Sequence, residues 1–563
     1  MIPDERAAAT SRGPAAAWIS IAAVLAILLA GLALRLVDFR GPFDREFEGA
    51  QGAFFALGAV NYERLGLDAA GGYPVVNVDL DAGALGAVRS NLRSAPGAWY
   101  VYANHPPLVP WISWASIRAG QGPGWAASCD QGRAPAGVEP WIRAPFLLFH
   151  LAALGGLWWA LKAGAGAGRA WVALAIAASM PVAVLYGSLV NYENPSLLCA
   201  VLAAGFSARW IATGSPRLLW GACLCFGLGS LVSFATACFA PPLALLVLLR
   251  AGIGRAARFT LAVGLSAGLP LLLHGFWSAR VLAELGHPAE SVLVRARALW
   301  GPLLDGTAPP QHWAALQIER LGPWFGWPAA AAAAMGLALL VARGLTLKKK
   351  PLSAAAGVAQ DREPPGLEPA LLAGGCLYLF VFYRHTLDPQ HPFLLMLVPG
   401  LAGLAALGLE RLVAPFGRPA LTLATLGLAA TLALQGQELR REFRAPRSTA
   451  NPTQALDLPD VTGAEFAGLV PAGGFGIHPA CVGLNAAVTF YAWRSLWPAA
   501  SPADTLPRAV ARAFGLGSAP HVLLLPKHPW PGVAAEILNF EREWVGSAPA
   551  DRESAHWRAW DLH

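Results

Sequence analysis

Apolar runs of spanning length recur along the chain, separated by short polar connections. The first covers 17–38. After a long polar, aromatic-rich stretch to about residue 141, further runs cover 142–161, 170–189, 195–211, 218–234, 235–249 and 259–277. Runs at 327–342, 369–383, 392–412 and 419–435 complete the set. A bilayer core is crossed by about 20 apolar residues in a helix, so the pattern predicts an all-α polytopic membrane bundle of roughly eleven spans. Several runs are short or interrupted by proline, which leaves that count open by about one or two. The first run is longer than a signal-peptide core and lacks a small-residue cleavage site, so it reads as a retained anchor.

The connections set the orientation. With 1–16 as a cytoplasmic tail, the inner connections carry Lys162 and Arg169, Arg209 and Arg217, and Arg250, Arg255 and Arg258. Further inner connections carry Arg343 with Lys348–Lys350, and Arg411 with Arg418. Short outer connections such as "VNYEN" around Asn191 carry almost none, which is the positive-inside pattern. A transmembrane domain over 17–436 then has outer loops at 39–141 and 278–326 and a polar cytoplasmic linker at 344–366. Residues 437–563 fall outside and read as a small α/β domain. There "FGIHPA", "AVTFYAW" and "HVLLLPKH" have the look of short buried strands, with "TLPRAVARAFGL" an amphipathic helix between two of them. No Gly-rich phosphate loop and no internal repeat stand out.

Composition agrees with this reading. The chain is 55% hydrophobic and 13% charged, with mean hydropathy +0.47, where soluble domains carry nearer a quarter charged residues. The net charge of +7 resides largely in the inner loops, where it orients the chain, so nucleic acid is not the expected partner. Five of the seven cysteines lie in apolar runs and behave as small hydrophobes. Cys129 and Cys481 lie in polar segments and can pair in an oxidising compartment.

Two constellations carry chemistry. In "FRGPFDREFEGAQGAFFALGAVNYERLG" (39–66), Asp44, Glu46 and Glu48 stand at alternate positions. On a helix Asp44 and Glu48 share a face, with Glu46 elsewhere. Acids in a first helical turn are an ordinary complement to the helix dipole. The apolar continuation "GAFFALGAVNY" is nevertheless suited to lying on a membrane surface, which brings the carboxylates to the bilayer boundary. The second is "WYVYANHPPLVPWISWA" (99–115), with Tyr102, Asn104 and His105 ahead of two prolines that end an extended approach and start an aromatic helix. Alone, a His-Pro-Pro is a turn with a spectator histidine.

In this order the two segments resemble the first outer loop of GT-C class membrane glycosyltransferases. The resemblance is to the protein O-mannosyltransferase and lipid A aminoarabinose transferase superfamily, family 39-like. Ala59–Gly66 matches its "A-x-N-Y-x-R-x-G"-like segment, His105–Leu108 its "H-P-P-L", and Arg143–Pro145 loosely its "R-x-P". The family shows adjacent Asp-Glu or His-Glu where this chain has "DREFEG". Aligning on the downstream segment puts Glu48 on the second acidic position and Phe47 on the first.

The resemblance implies a GT-C-like fold with outer juxtamembrane helices. It also implies transfer of a hexose, pentose or related sugar from a polyprenyl-phosphate donor to a protein, lipid or glycan acceptor. A multi-pass protein of the bacterial inner membrane, with its C-terminal domain periplasmic, follows. The leaving phosphate is already a stable anion, but an acceptor hydroxyl needs its proton removed, so a carboxylate base is required: Glu48 first, Asp44 second. Direct displacement inverts the anomeric centre.

Glu46, Tyr102, Asn104 and His105 are the substrate-binding candidates in this loop. In "YRHTLDPQHPF" (383–393), Arg384 and His391 are candidates for the donor phosphate, against an ordinary interfacial arginine. Arg280, Arg295 and Arg297 are further basic candidates, and Glu193 in "VNYEN" reads as a solvated loop acid. Asp44, Glu48 and His105 can together hold a divalent cation, although no ligand spacing requires one. A transporter or flippase would instead show repeats and mid-span ionisable groups; a non-catalytic scaffold leaves the first-loop acids unexplained.

Overall fold

A computed structural model of the chain describes residues 14–37, 39–43, 47–76, 101–131, 133–284, 292–348, 366–387, 392–444, 459–471, 475–479, 490–492, 495–499, 521–527, 534–545 and 548–562. Its helices are α1 (Pro14–Leu36), α2 (Phe47–Leu65), α3 (Leu108–Gln121), α4 (Glu139–Ser179), α5 (Pro181–Tyr186), α6 (Glu193–Thr213) and α7 (Pro216–Val232). There follow α8 (Ala240–Ala251), α9 (Ile253–Glu284), α10 (Val292–Leu304), α11 (Pro310–Glu319), α12 (Trp327–Lys348), α13 (Glu368–Val381), α14 (Val398–Val413) and α15 (Gly417–Arg444). The C-terminal part adds α16 (Pro459–Leu469) and α17 (Ala534–Trp544) around β1 (Phe475–Pro479), β2 (Ser495–Ala499), β3 (His521–Pro526), β4 (Arg552–Glu553) and β5 (Trp557–Leu562).

The architecture is the expected helical bundle with a small α/β domain. Among the described residues, four helical stretches are by themselves long and apolar enough to cross a membrane, or five if the bent pair at 310–342 is one span. Four further apolar helices are shorter. One of the long stretches, α4, breaks at Gly166, whose φ of 82° lies in the left-handed region that glycine tolerates. Another turns at Gly417, φ 79°, between α14 and α15. The roughly eleven crossings expected therefore require the breaks to separate spans and the short helices to cross as well.

Small residues let the helices approach closely, as membrane bundles favour. A Cβ on Gly336 would come within 2.1 Å of the Leu404 carbonyl, and one on Gly408 within 2.0 Å of that of Ala332, so α12 and α14 meet backbone to backbone.

Two expectations are corrected. Helix α2 does not lie on a lipid surface: Ala53, Phe55, Ala56, Leu57, Ala59 and Val60 are all buried. The segment is apolar all round rather than on one face, and such a helix is enclosed by protein. Val109 and Ile117 of α3 and Ile142 and Phe146 of α4 share its core. In the C-terminal domain, the described part of "AVTFYAW" is not extended. Phe490–Ala492 is helical, and the strand follows as β2. The aromatic side chains of this segment are used in packing against the bundle instead, as shown below. The helix expected over 505–516 lies outside the described residues, as does Cys481 of the expected Cys129–Cys481 pair.

The sheet order is β2-β1-β3-β5-β4, with β1 parallel to both β2 and β3, and β5 antiparallel to β3 and β4. The alternation in "HVLLLP" sends Val522 and Leu524 to one face, with Phe466 and Trp557, and Leu523 and Leu525 to the other, with Phe540 and Trp560.

Candidate functional site

The site is built at the end of the bundle that bears the first long loop. Residues 39–43 lead from α1 towards the acids. Arg143, 1% exposed in the first turns of α4, donates to the carbonyls of Phe39 (2.7 Å), Gly41 (2.6 Å) and Pro42 (3.0 Å). Its guanidinium also lies 5.6 Å from the Phe43 ring. The arginine of the "R-x-P" segment thus fastens the approach to the acidic stretch.

The "NYER" segment has a similar task. Asn61 donates to the Val75 carbonyl (2.7 Å) and the Tyr62 hydroxyl to that of Gly72 (2.7 Å). The Trp111 indole donates to the same Gly72 oxygen (2.8 Å). Gly72 has φ 87°, a conformation that glycine adopts at little cost. Glu63 ties α2 to α3, accepting from the Trp114 indole (2.9 Å) and Arg118 (3.1 Å).

Against this frame stands a wall of aromatic and titratable groups. The His105 ring stacks on Tyr192, centroids 4.0 Å apart at 24°, and lies 6.0 Å from the Tyr102 ring. Tyr192 packs on Phe55 of α2 (5.4 Å), and Tyr102 on Phe54 (4.9 Å). Next to Tyr192, Glu193 is 2% exposed and accepts from the Tyr378 hydroxyl at 2.9 Å. Tyr378 packs on Phe382 (5.0 Å) and Phe393 (5.1 Å), and both of those flank His385. On the other side, the Tyr73 hydroxyl meets His274 Nδ1 at 2.8 Å. His105 Nδ1 is enclosed and has no hydrogen-bond partner among the described residues. Burial, with His274 and His385 nearby, pushes His105 down from its ordinary 6.5 to about 3, so its ring is neutral at physiological pH.

The loop carrying Tyr192 and Glu193 is fixed from beneath by a buried polar chain. Arg35, 0% exposed, donates to the carbonyls of Gly31 (2.8 Å) and Ala178 (3.0 Å) and to His150 Nε2 (3.1 Å). Arginine only donates, so Nε2 is the acceptor and Nδ1 carries the hydrogen that goes to Asn194 Oδ1 (2.9 Å). The Asn194 amide nitrogen then donates to the Tyr186 carbonyl (3.0 Å), and Asn191 Oδ1 caps the Asn194 backbone N–H (2.7 Å).

The expected site residues divide accordingly. Asp44, Glu46 and His391 lie outside the described residues, as does the side chain of Glu48, whose backbone is in the first turn of α2. Tyr102 and His105 come together in the wall, while Asn104 is exposed beside it. Arg384 is exposed, and its backbone N–H bonds to the Leu299 carbonyl (3.0 Å). Of the further arginines, Arg280 pairs with Glu284 (2.8 Å) and Arg297 is exposed. The side chain of Arg295 is outside the described residues. Glu193 is buried rather than solvated, because the loop that carries it folds inward onto Tyr378. Among the described residues no three His, Cys, Asp or Glu stand close enough to hold a metal ion.

Sequence reasoning passed over Tyr192, His274, Tyr378 and His385. Only "VNYENP" offered a signal, through its concentration of polar side chains between two apolar runs.

Residues 136–277 match the family model for dolichyl-phosphate-mannose-protein mannosyltransferase. No curated protein matches the chain. Among solved structures, ArnT from Cupriavidus metallidurans, bound to undecaprenyl phosphate, is similar over 98% of each chain, at 12% identity and TM-score 0.51. The oligosaccharyltransferase of Archaeoglobus fulgidus in its apo form is similar over 90% of this chain and 69% of its own, at 11% identity and TM-score 0.54. At these identities the likeness is one of fold, and it bears out the resemblance to GT-C class membrane glycosyltransferases and the multi-pass membrane character of the chain.

Proposed function

We propose that the chain moves a sugar from a polyprenyl-phosphate donor to an acceptor on the outer face of a bacterial inner membrane, through a bundle of roughly eleven crossings. The observation that carries this reading is the wall from His105 through Tyr192 and Glu193 to Tyr378, set beside the helix whose first turn carries Glu48. The fold likeness to a structure that holds undecaprenyl phosphate supports the donor class.

In the proposed step the bond between the anomeric carbon and the phosphate oxygen breaks, and its electron pair stays on the phosphate. The acceptor oxygen or nitrogen bonds to the opposite face of that carbon, giving inversion, and its proton passes to Glu48, with Asp44 in support. Such a base contributes roughly 10²–10⁴ in rate. Glu193, held by its bond from Tyr378, supplies a second carboxyl on the side of the sugar ring where positive charge develops. The neutral His105 offers an enclosed ring nitrogen to the donor, and the late loop with Arg384 and His391 balances the phosphate charge.

A transporter is disfavoured by what the buried charges do. Both terminal nitrogens of Arg35 are engaged, with the carbonyls of Gly31 and Ala178 and with His150, and Arg440 donates to the carbonyls of Leu34 (3.0 Å) and Val184 (2.6 Å).

The test is mass spectrometry of surface glycans and glycolipids from cells with and without the gene, followed by transfer from polyprenyl-phosphate sugars in purified membranes. Glu48→Gln abolishes the product with the protein still folded, and Asp44→Asn reduces it less. Full turnover in both variants discards the base assignment; an unchanged glycan and glycolipid profile discards the transferase.

A further inference from the structure

The C-terminal domain reaches into the bundle through Phe490 and Tyr491. Phe490 is 0% exposed and lies in the same core as Phe43, Phe55 and Tyr192. Its ring meets Phe43 edge-on at 5.6 Å, and Tyr491 tilts against Phe43 at 6.1 Å. The Tyr491 hydroxyl accepts from the Phe43 backbone N–H (2.7 Å) and donates to Glu139 Oε1 (2.8 Å), at the first residue of α4. Burial and the Glu139 charge both push the Tyr491 phenol well above its ordinary range, so it keeps the hydrogen it donates.

Arg143 holds residues 39–42 from the membrane side, and Phe490 with Tyr491 holds Phe43 from the domain side. Helix α2 opens at Phe47, so three residues separate two fixed points.

We propose that the C-terminal domain is a positioning element of the first outer loop, with Phe490 and Tyr491 clamping at Phe43 the segment that leads from α1 towards α2. The inference rests on the transferase reading for its catalytic consequence, but the clamp itself does not. Tyr491 touches no substrate in this scheme. It acts through Phe43 and Glu139, and it gives the domain a task that a tethered acceptor-binding module would not need.

The experiment uses the full chain in lipid nanodiscs. Hydrogen exchange is followed in peptides covering 39–60, with peptides covering β3 and β5 as the measure of the domain's own fold. Tyr491→Phe keeps the ring and loses both hydrogen bonds; Tyr491→Ala loses the packing as well. The expected result is faster exchange in 39–60 in the order Ala, Phe, wild type, with β3 and β5 unchanged. In transfer assays kcat falls by ~10-fold for Phe and ~100-fold for Ala while KM for the lipid donor stays within about threefold, as for a misplaced catalytic group. Exchange in 39–60 that is the same in wild type and Tyr491→Ala overturns the clamp. So does a raised KM at unchanged kcat, which makes the domain a substrate-binding module. Should no donor be turned over by the wild type, the transferase reading fails while the exchange arm still decides the clamp.

Discussion

Replacing His150 by leucine tests how the loop with Tyr192 and Glu193 is held. The substitution keeps an apolar body of similar reach and removes two hydrogen bonds, from Arg35 at 3.1 Å and to Asn194 at 2.9 Å. The first is charge-assisted and is worth about 1.5–3 kcal/mol, the second about 1 kcal/mol, giving roughly 3 kcal/mol in all. Arg35 keeps its two carbonyls, so the cost stays below the full penalty for an unpaired buried charge. At the roughly 2 °C per kcal/mol of large domains, the thermal midpoint in detergent drops by about 6 °C. Arg35→Met costs a comparable amount. The double variant costs less than the sum by about 1–3 kcal/mol, because each change removes the partner of the other. Asn194→Asp separates geometry from bonding: the carboxylate still accepts from His150, but it faces the Tyr186 carbonyl without a hydrogen to give. It is therefore destabilising although it adds a negative charge two hydrogen bonds away from an arginine. Additivity in the cycle, or an Asn194→Asp protein as stable as wild type, refutes the tautomer chain.

Two further predictions concern other parts of the molecule. Tyr378→Phe removes the 2.9 Å bond to Glu193 while the ring keeps its packing on Phe382 and Phe393, so turnover at saturating donor falls by about 10–100-fold, the equivalent of one hydrogen bond to a charged group; unaltered turnover removes Glu193 from the site. In the C-terminal domain, partial burial works to raise the Glu465 carboxyl, but hydrogen bonds from Ser554 and His556 more than offset it and hold it below its ordinary 4.5. A depressed carboxyl contributes stability above its unfolded pKa and loses it as pH falls. Thermal melts of the full chain between about pH 6 and about pH 4 therefore show the domain weakening on the acid side, and Glu465→Gln flattens that dependence. A slope that survives the substitution assigns it to another group.

The bundle was legible because spanning length and loop charge are one-dimensional properties. Apolar runs set α1 and α4 to α9, and the two prolines at 106–107 placed the start of α3 at Leu108. The wall was only half legible. Tyr102 and His105 sit in a motif, whereas Tyr192, His274, Tyr378 and His385 come from four separate elements, and each alone resembles an interfacial aromatic or a satisfied core histidine. Glu193 was misjudged for a related reason: its short loop folds back into the protein, and the side-chain bonds of Asn191 and Asn194 that turn it inward depend on carbonyls supplied by the fold. In the C-terminal domain "FGIHPA" and "HVLLLPKH" are strands as expected, but the strand between them was misplaced by a few residues because "TFYAW" has strand composition, yet Phe490 and Tyr491 are spent on the bundle. Tertiary packing overrode local preference there.

The neutrality of His105 bears on how a donor phosphate is accommodated. A histidine held at about 3 carries no charge near neutral pH, so it cannot be the counter-ion of a resting phosphate site. Its ring face is covered by Tyr192, which leaves its edge for a ligand. The nearest described arginines are occupied: Arg143 with three carbonyls, Arg35 with two and His150, and Arg320 with the carbonyls of Thr386 and Leu387. Arg320 therefore shapes the late loop rather than meeting a ligand. Under the proposed transfer, the candidate for the positive charge facing the phosphate is Arg384 on the exposed side of that loop, with His385 beside it. An exposed arginine is also the inexpensive solution physically. It stays hydrated until the lipid arrives, so the enzyme does not have to bury a cation in the absence of its anion. In this arrangement the buried histidine and tyrosines set the shape, the late loop brings the charge, and the first-loop acids are left to handle the acceptor proton.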